Sequence, residues 1–217
     1  MSLANVLFDG RGAAYVCVDT RALAIRPNEK EPKGIFEASK MLHLPAASTV
    51  FAVRGDGTLL RWVFNHYATH LETLDYDSIT RTIKEVVREQ FDGYRKHQRL
   101  HGLANAVGDG TEIHVVGWSV AQDRPAGVSV LASEEIEGLV REVPMHPKGM
   151  ACPPFDAKPE ASDLHSDVDY LRWMALQQVS GWTDRNIPIG GRLLVAKITR
   201  GIIVFQDLGS IGEPPAA

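Results

Sequence analysis

The stretch Gly12-Ala-Ala-Tyr-Val-Cys-Val-Asp19-Thr20-Arg21 decides how the chain is read, because an unbroken apolar run from Ala13 to Val18 ends on three polar residues. Valine and tyrosine suit a pleated strand, and six residues are too few for an ordinary helix. No polar residue alternates through the run, the pattern of a strand covered on both faces. Just upstream, residues 3 to 8 (Leu-Ala-Asn-Val-Leu-Phe) form a second apolar segment, separated from residues 13 to 19 by Asp9-Gly10-Arg11-Gly12. A short glycine-rich link between two such segments predicts a hairpin.

Downstream comes a polar loop, Arg26 to Gly34, and then two further strands over Ser39 to Leu44 and Ser48 to Arg54, joined by Pro45-Ala-Ala. The first 55 residues thus read as four strands. After Gly55-Asp56-Gly57 the apolar period changes from 2 to 3.6: Leu59, Leu60, Trp62, Val63, Tyr67, Leu71 and Leu74 line one helix. Asp77-Ser78 is read as the cap of a second helix, whose apolar face carries Ile79, Ile83, Val86, Val87, Phe91 and Tyr94. Two amphipathic helices with a short link form an antiparallel pair, and the sheet is what their faces cover. Strands over Glu112 to Val120 and Gly127 to Leu131 follow, then the longest irregular segment, Val143 to Pro159. Segments of that length are commonly functional or mobile. A third helix from about Asp163 to Ser180, carrying Leu164, Val168, Leu171, Ala175, Leu176 and Val179, stops at Gly181. A last hairpin pairs Arg192 to Ile198 with Ile202 to Phe205. This order predicts an α+β protein with two stacked sheets between outer helices, a four-layer αββα sandwich. It is read as one domain over residues 1–211 with a flexible tail over 212–217.

The composition narrows the function classes. With 217 residues, 23 Lys plus Arg against 27 Asp plus Glu, a formal charge of -4 and 44% hydrophobic residues, the chain is an ordinary globular protein. Clustered Lys and Arg are lacking, which argues against a nucleic-acid partner. The densest basic stretch, Arg95, Lys96 and Arg99 with His97 and His101, reads as a solvated helix end. No apolar run approaches 18 residues and the start has no basic region before a long apolar core, so neither a membrane span nor a signal peptide is predicted. Two cysteines make no disulfide framework or zinc knuckle, and a reducing cytoplasm is the default. Cys17 reads as a small apolar filler. His66 with His70, and His97 with His101, have the i, i+4 spacing that can hold a metal, but no third ligand is indicated. No cofactor or metal is predicted.

Chemistry is most plausible at the N-terminus. Removal of Met1 exposes Ser2 as both an α-amine and a hydroxyl, and an amine with a pKa of about 8 can act as base toward its own hydroxyl. That arrangement needs a buried cation to depress the amine pKa and a carboxylate to orient the cation. Lys40 and Asp19, each at the end of a predicted strand, supply the two. The bland reading is that Asp19-Thr20-Arg21 ends a strand in a turn and that Lys40 reaches out to solvent.

At these residues the sequence resembles the N-terminal nucleophile hydrolases, and within them proteasome β subunits and the bacterial HslV-type peptidase. The likeness rests on Gly12 to Arg21, on Lys40-Met-Leu-His-Leu, on Val50 to Gly57, and on Ile113-His-Val-Val-Gly117-Trp118. It implies Ser2 as nucleophile, Asp19 as the carboxylate, Lys40 as the cation, and a backbone N–H near Val53 or Gly55 as the oxyanion donor. It further implies a peptidase or other amide hydrolase, threonine-type by family, acting on peptide or amide substrates. It also implies a homo-oligomer of one ring or stacked rings, with any ATPase partner left open. Several positions depart from the family pattern. Serine replaces the usual threonine, and the span from Ser2 to Gly12 is one residue longer than the family spacing, so the register demands an extra residue in the hairpin or places Leu3 where the nucleophile is expected. Val53 and Arg54 stand where the family has glycine, and Ile189 stands in place of the serine in the element before Gly190-Gly191. The alternative is a non-catalytic ring subunit or binding scaffold. Trp62, Tyr67 and Trp173 are read as interface residues or as core.

Overall fold

A computed structural model describes residues 3–24, 34–69, 74–103, 110–155, 165–183 and 189–212. Ser2, His70, Leu71, Leu164, Asp184 and residues 213–217 of the predicted tail lie outside the described residues.

The decisive hairpin forms as read: β1 (Ala4–Phe8) pairs antiparallel with β2 (Ala14–Asp19), from Ala4 opposite Val18 to Phe8 opposite Ala14. Every residue of β2 is buried, as its lack of alternation predicts. Between Asp19 and Lys40 the chain adds two strands that flank the expected polar loop and that the sequence pattern does not mark, β3 (Arg21–Ala24) and β4 (Gly34–Glu37), which form a two-stranded sheet of their own. The described residues among the first 55 therefore hold six strands rather than four. All four residues of β4 are exposed, so backbone pairing makes this strand and burial leaves no pattern to read.

β5 (Met41–Leu44) and β6 (Thr49–Arg54) flank the turn at Pro45–Ala47. They continue through β7 (Thr111–Ser119), β8 (Arg124–Ala132) and β9 (Val140–Val143) into one antiparallel sheet in the order β5-β6-β7-β8-β9. The predicted irregular segment contains another strand, β10 (Gly149–Cys152), which pairs with β1. With β11 (Arg192–Thr199) and β12 (Ile202–Ser210) it completes the second five-stranded sheet, β10-β1-β2-β11-β12. β10 escapes a sequence reading because it is a four-residue edge strand between prolines, held by main-chain bonds to β1 alone.

Among the described residues three α-helices accompany the sheets. α1 (Gly57–Ala68) starts where Asp56 accepts from the Thr58 N–H at 2.6 Å. α2 (Tyr76–Leu100) starts at Asp75, two residues before the expected cap. There Asp75 accepts from the Ser78 N–H at 2.7 Å and the Asp75 N–H donates to Ser78 Oγ at 3.0 Å, a reciprocal capping box. Asp77 is used elsewhere, accepting from Ser119 Oγ at 2.6 Å and from the Ala121 N–H at 3.0 Å. The early half of α1 meets the late half of α2 at Trp62 and Tyr94, and Tyr67 bonds to Thr82 near the start of α2, so the pair is antiparallel. α3 (Asp167–Thr183) is the last helix. No helix among the described residues is long and apolar enough to cross a membrane.

Three apolar clusters show what packs on what. One joins Leu59, Leu60, Val63 and Tyr67 of α1 and Ile79, Ile83, Val87 and Phe91 of α2 to Phe51, Val53, Ile113, Val115 and Val130 of β6, β7 and β8. A second joins Leu171, Met174 and Ala175 of α3 to Tyr15, Cys17, Leu193 and Val195 of β2 and β11. The third lies between the sheets, with Ala4, Val6, Val16, Val18 and Ile198 against Met41, Val50, Ala52 and Val116. Cys17 fills the α3 core as expected of it. Tyr67 is 3% exposed, and Trp62 and Trp173 pack on the first and second clusters, so core packing accounts for these aromatics.

Phe91 is fully buried and joins both helices to the sheet. Replacement by alanine removes a large side chain from a filled core, and Phe91→Ala is expected to cost about 3–5 kcal/mol in chemical denaturation with an unchanged far-ultraviolet spectrum at low denaturant.

Candidate active site

The predicted carboxylate and cation meet. Lys40 Nζ donates to Asp19 Oδ1 at 2.7 Å, with Asp19 fully buried and Lys40 5% exposed, so Lys40 does not reach out to solvent. The same oxygen accepts from the Leu3 N–H at 2.8 Å, and Oδ2 accepts from the Gly190 N–H at 3.0 Å. Three donors therefore surround one carboxylate and compensate for its loss of water. Burial pushes the Lys40 amine below the ordinary lysine value of 10.5; Asp19 opposes the shift and the charge of Arg21 adds to it.

The rest of the Asp19-Thr20-Arg21 tripeptide holds the loop that supplies Gly190. Thr20 Oγ1 accepts from the Arg192 N–H at 2.8 Å, and the Thr20 and Arg21 N–H groups donate to the carbonyls of Arg192 and Gly190, both at 3.0 Å. The Arg21 guanidinium donates to the Ile189 carbonyl at 3.4 Å and the Gly212 carbonyl at 3.3 Å. The closeness of this grip requires glycine. A Cβ on Gly190 would lie 2.6 Å from Arg21 Cζ, and one on Gly191, at φ +77°, would lie 2.5 Å from Thr20 Oγ1. Lys40 is positioned from two sides: the Ala38 N–H donates to the Thr20 carbonyl at 2.8 Å, and the Val53 N–H donates to the Lys40 carbonyl at 3.0 Å.

The remaining predicted residues fall as follows. Val53 is buried and its N–H is engaged by Lys40. Gly55 follows β6 in the turn to α1, against Thr111. The Arg54 guanidinium pairs with Glu112 at 3.4 Å. Ile189 is 3% exposed and packs in the α3 core, so its side chain serves packing at the position where the resemblance has serine. Leu3 is fully buried in the same core and commits its N–H to Asp19, which leaves it no chemistry of its own. His97 and His101 have ring centroids 4.4 Å apart and belong to no group of three metal-binding side chains among the described residues. The basic stretch beside them is paired with acids, Arg95 and Lys96 with Asp92 and Arg99 with Glu134. The donors from Leu3 and Gly190 went unread in the sequence because a backbone N–H has no residue signature; the two glycines at 190 and 191 were their only trace.

No protein-family model matches this sequence, and the search of curated proteins found no match. Solved structures do match. The Anbu (Gly-1) mutant from Hyphomicrobium sp. strain MC1 aligns with a TM-score of 0.59 at 14% identity, covering 96% of this chain and 87% of that one. Anbu from the same strain gives 0.58 at 13%, covering 96% and 88%, and Anbu (ancestral beta-subunit) from Yersinia bercovieri gives 0.56 at 10%, covering 98% and 88%. The chain thus has a proteasome-like fold of the Anbu kind. This corrects the resemblance drawn from sequence: the likeness to proteasome β subunits and the HslV-type peptidase is replaced by likeness to Anbu structures, which at 10–14% identity carries the fold alone.

Removing one member of a buried pair strands the other. Asp19→Ala and Lys40→Met are each expected to lose about 3–5 kcal/mol in denaturant unfolding, and the double variant Asp19→Leu/Lys40→Met to recover only part of that loss, because the Leu3 and Gly190 N–H groups keep no acceptor. In a carbon-13 or nitrogen-15 titration of labelled lysine, Lys40 is expected to deprotonate below 10.5. Between its folded-state pKa and 10.5 the unfolded chain binds more protons, so the contribution of this group to stability rises with pH across that window.

Proposed function

We propose that this chain is an amide-bond hydrolase, most simply a peptidase, that uses Ser2 as an N-terminal nucleophile. The observation that carries the reading is the buried Asp19–Lys40 pair, with the N–H of Leu3, the residue bonded to Ser2, on the same carboxylate oxygen. Once Ser2 is the first residue, its α-amine takes the proton from its own Oγ as Oγ attacks the substrate carbonyl. The Lys40 ammonium lowers the pKa of that amine and Asp19 holds Lys40 in place. The amine then passes the proton to the leaving nitrogen, and water hydrolyses the ester left on Ser2. The oxyanion is assigned to a backbone donor at the end of β6, near Val53 or Gly55. Val53 must release the Lys40 carbonyl to serve, and that engagement favours the second reading, a non-catalytic subunit or scaffold.

The three apolar clusters support a single four-layer domain, with the α1/α2 pair, two sheets and α3 in succession. A cytoplasmic homo-oligomer, as a ring or stacked rings, completes the reading.

The test is mass spectrometry of the purified native N-terminus together with hydrolysis of fluorogenic peptide amides. Met1 absent, a single adduct of an epoxyketone or serine-directed probe on Ser2, and a fall of at least about 10³-fold in Ser2→Ala are expected. Hydrolysis unchanged in Ser2→Ala overturns the mechanism. A retained N-terminal segment with no hydrolysis assigns the chain to the scaffold reading.

A further inference from the structure

A second buried polar cluster lies on the inner face of the β5–β9 sheet, outside the groups assigned above. His114 on β7 is fully buried and has its Nδ1 2.9 Å from Ser129 Oγ on β8. Ser129 Oγ donates to Glu112 Oε1 at 3.0 Å, so its single hydrogen is committed to the carboxylate. Its oxygen can therefore only accept from the imidazole, which places the ring proton on Nδ1 and leaves Nε2 with a bare lone pair. That Nε2 is buried and has no hydrogen-bond partner among the described residues. From the other sheet, Cys152 on β10 brings its Sγ to 3.5 Å from Glu112 Oε2. Ligand atoms of Glu112, His114 and Cys152, one from each, lie within 4.8 Å of one another, and all three residues are buried.

The geometry points to a zinc(II) site formed by the Cys152 thiolate, the His114 imidazole and a Glu112 carboxylate oxygen. The donor set is one that zinc takes, with bonds of about 2.0–2.3 Å. The 3.5 Å between Sγ and Oε2 already suits two ligands of one tetrahedral ion, and the His114 ligand atom lies within 4.8 Å of both residues' ligand atoms. Binding forms the Zn–S bond as the thiol proton leaves to solvent, while the carboxylate and the imidazole bind through lone pairs they already have. One thiolate and one carboxylate balance the charge of the ion, and water takes the fourth position. The supporting groups are in place as well. Ser129 holds both His114 and Glu112, and Arg54 pairs with Glu112 at 3.4 Å.

Cys152 is itself anchored. Its N–H donates to Asn5 Oδ1 at 3.1 Å, and Asn5 exchanges two bonds with Gln178 of α3 at 2.7 and 2.9 Å. An ion here ties the edge strand β10 of one sheet to the centre of the other. It acts as a cross-link between the sheets, built from residues other than Asp19 and Lys40.

The test begins with chelator-treated wild-type protein dialysed against zinc(II), and separately titrated with cobalt(II). One zinc per chain, a sulfur-to-cobalt charge-transfer band with tetrahedral visible absorption, and loss of that band in Cys152→Ala are expected. Ser129→Ala keeps all three ligands and is expected to weaken zinc binding by about 10–100-fold. No stoichiometric zinc, cobalt bound without a thiolate band, or a band that persists in Cys152→Ala overturns the site. If Cys152→Ala does not fold, the wild-type cobalt spectrum and the Ser129→Ala affinity decide the matter, because the only other cysteine, Cys17, is buried in the α3 core.

Discussion

The structure depends on one buried charge, the Asp19 carboxylate at the end of the central strand β2. A carboxylate without water must be compensated by donors, and here they come from three other parts of the chain: Lys40 ahead of β5, Leu3 ahead of β1 and Gly190 ahead of β11. Satisfying that single group brings the ends of both sheets together. Thr20 and Arg21 extend the same junction by holding the Ile189–Arg192 loop. Ion pairs of this kind contribute little net stability compared with apolar residues of equal volume, since desolvation offsets attraction. What this one contributes is geometry: a buried carboxylate needs each of its donors at a fixed position.

Stability comes instead from the three apolar clusters. Alanines and valines dominate the cluster between the sheets, while the larger Phe51, Phe91, Tyr94 and Leu171 lie where helices cover the outer faces. Small side chains let two sheets approach, and large ones fill the wider space beneath a helix. This distribution leaves the inter-sheet layer little room for polar groups. The ones that do occur there, Glu112, His114 and Ser129, are mutually bonded and meet Cys152 from the opposite sheet.

Elements that bury a side-chain pattern could be read in advance. β2 is a nearly continuous apolar run, and α2 repeats its apolar residues at helical spacing from Ile79 to Tyr94. β3, β4, β9 and β10 were not read, since each is four residues long and pairs through main-chain groups common to all residues. The Asp75 cap was displaced to Asp77 for a related reason: either aspartate can accept an N–H, and the choice was made by Ser119 and Ala121, which take Asp77 from 42 and 44 residues away.

The sequence by itself determined the alternation of strands and helices, the hairpin that starts the chain, and the residue types able to form an acid–cation pair. Local spacing and hydrophobic period carry that information. Only the tertiary structure decided that Asp19 and Lys40 are 2.7 Å apart and shielded from water, that the Val53 N–H is occupied, and that Cys152 faces Glu112. Distance, desolvation and the destination of a hydrogen bond depend on residues far apart in the chain, and no local pattern encodes them.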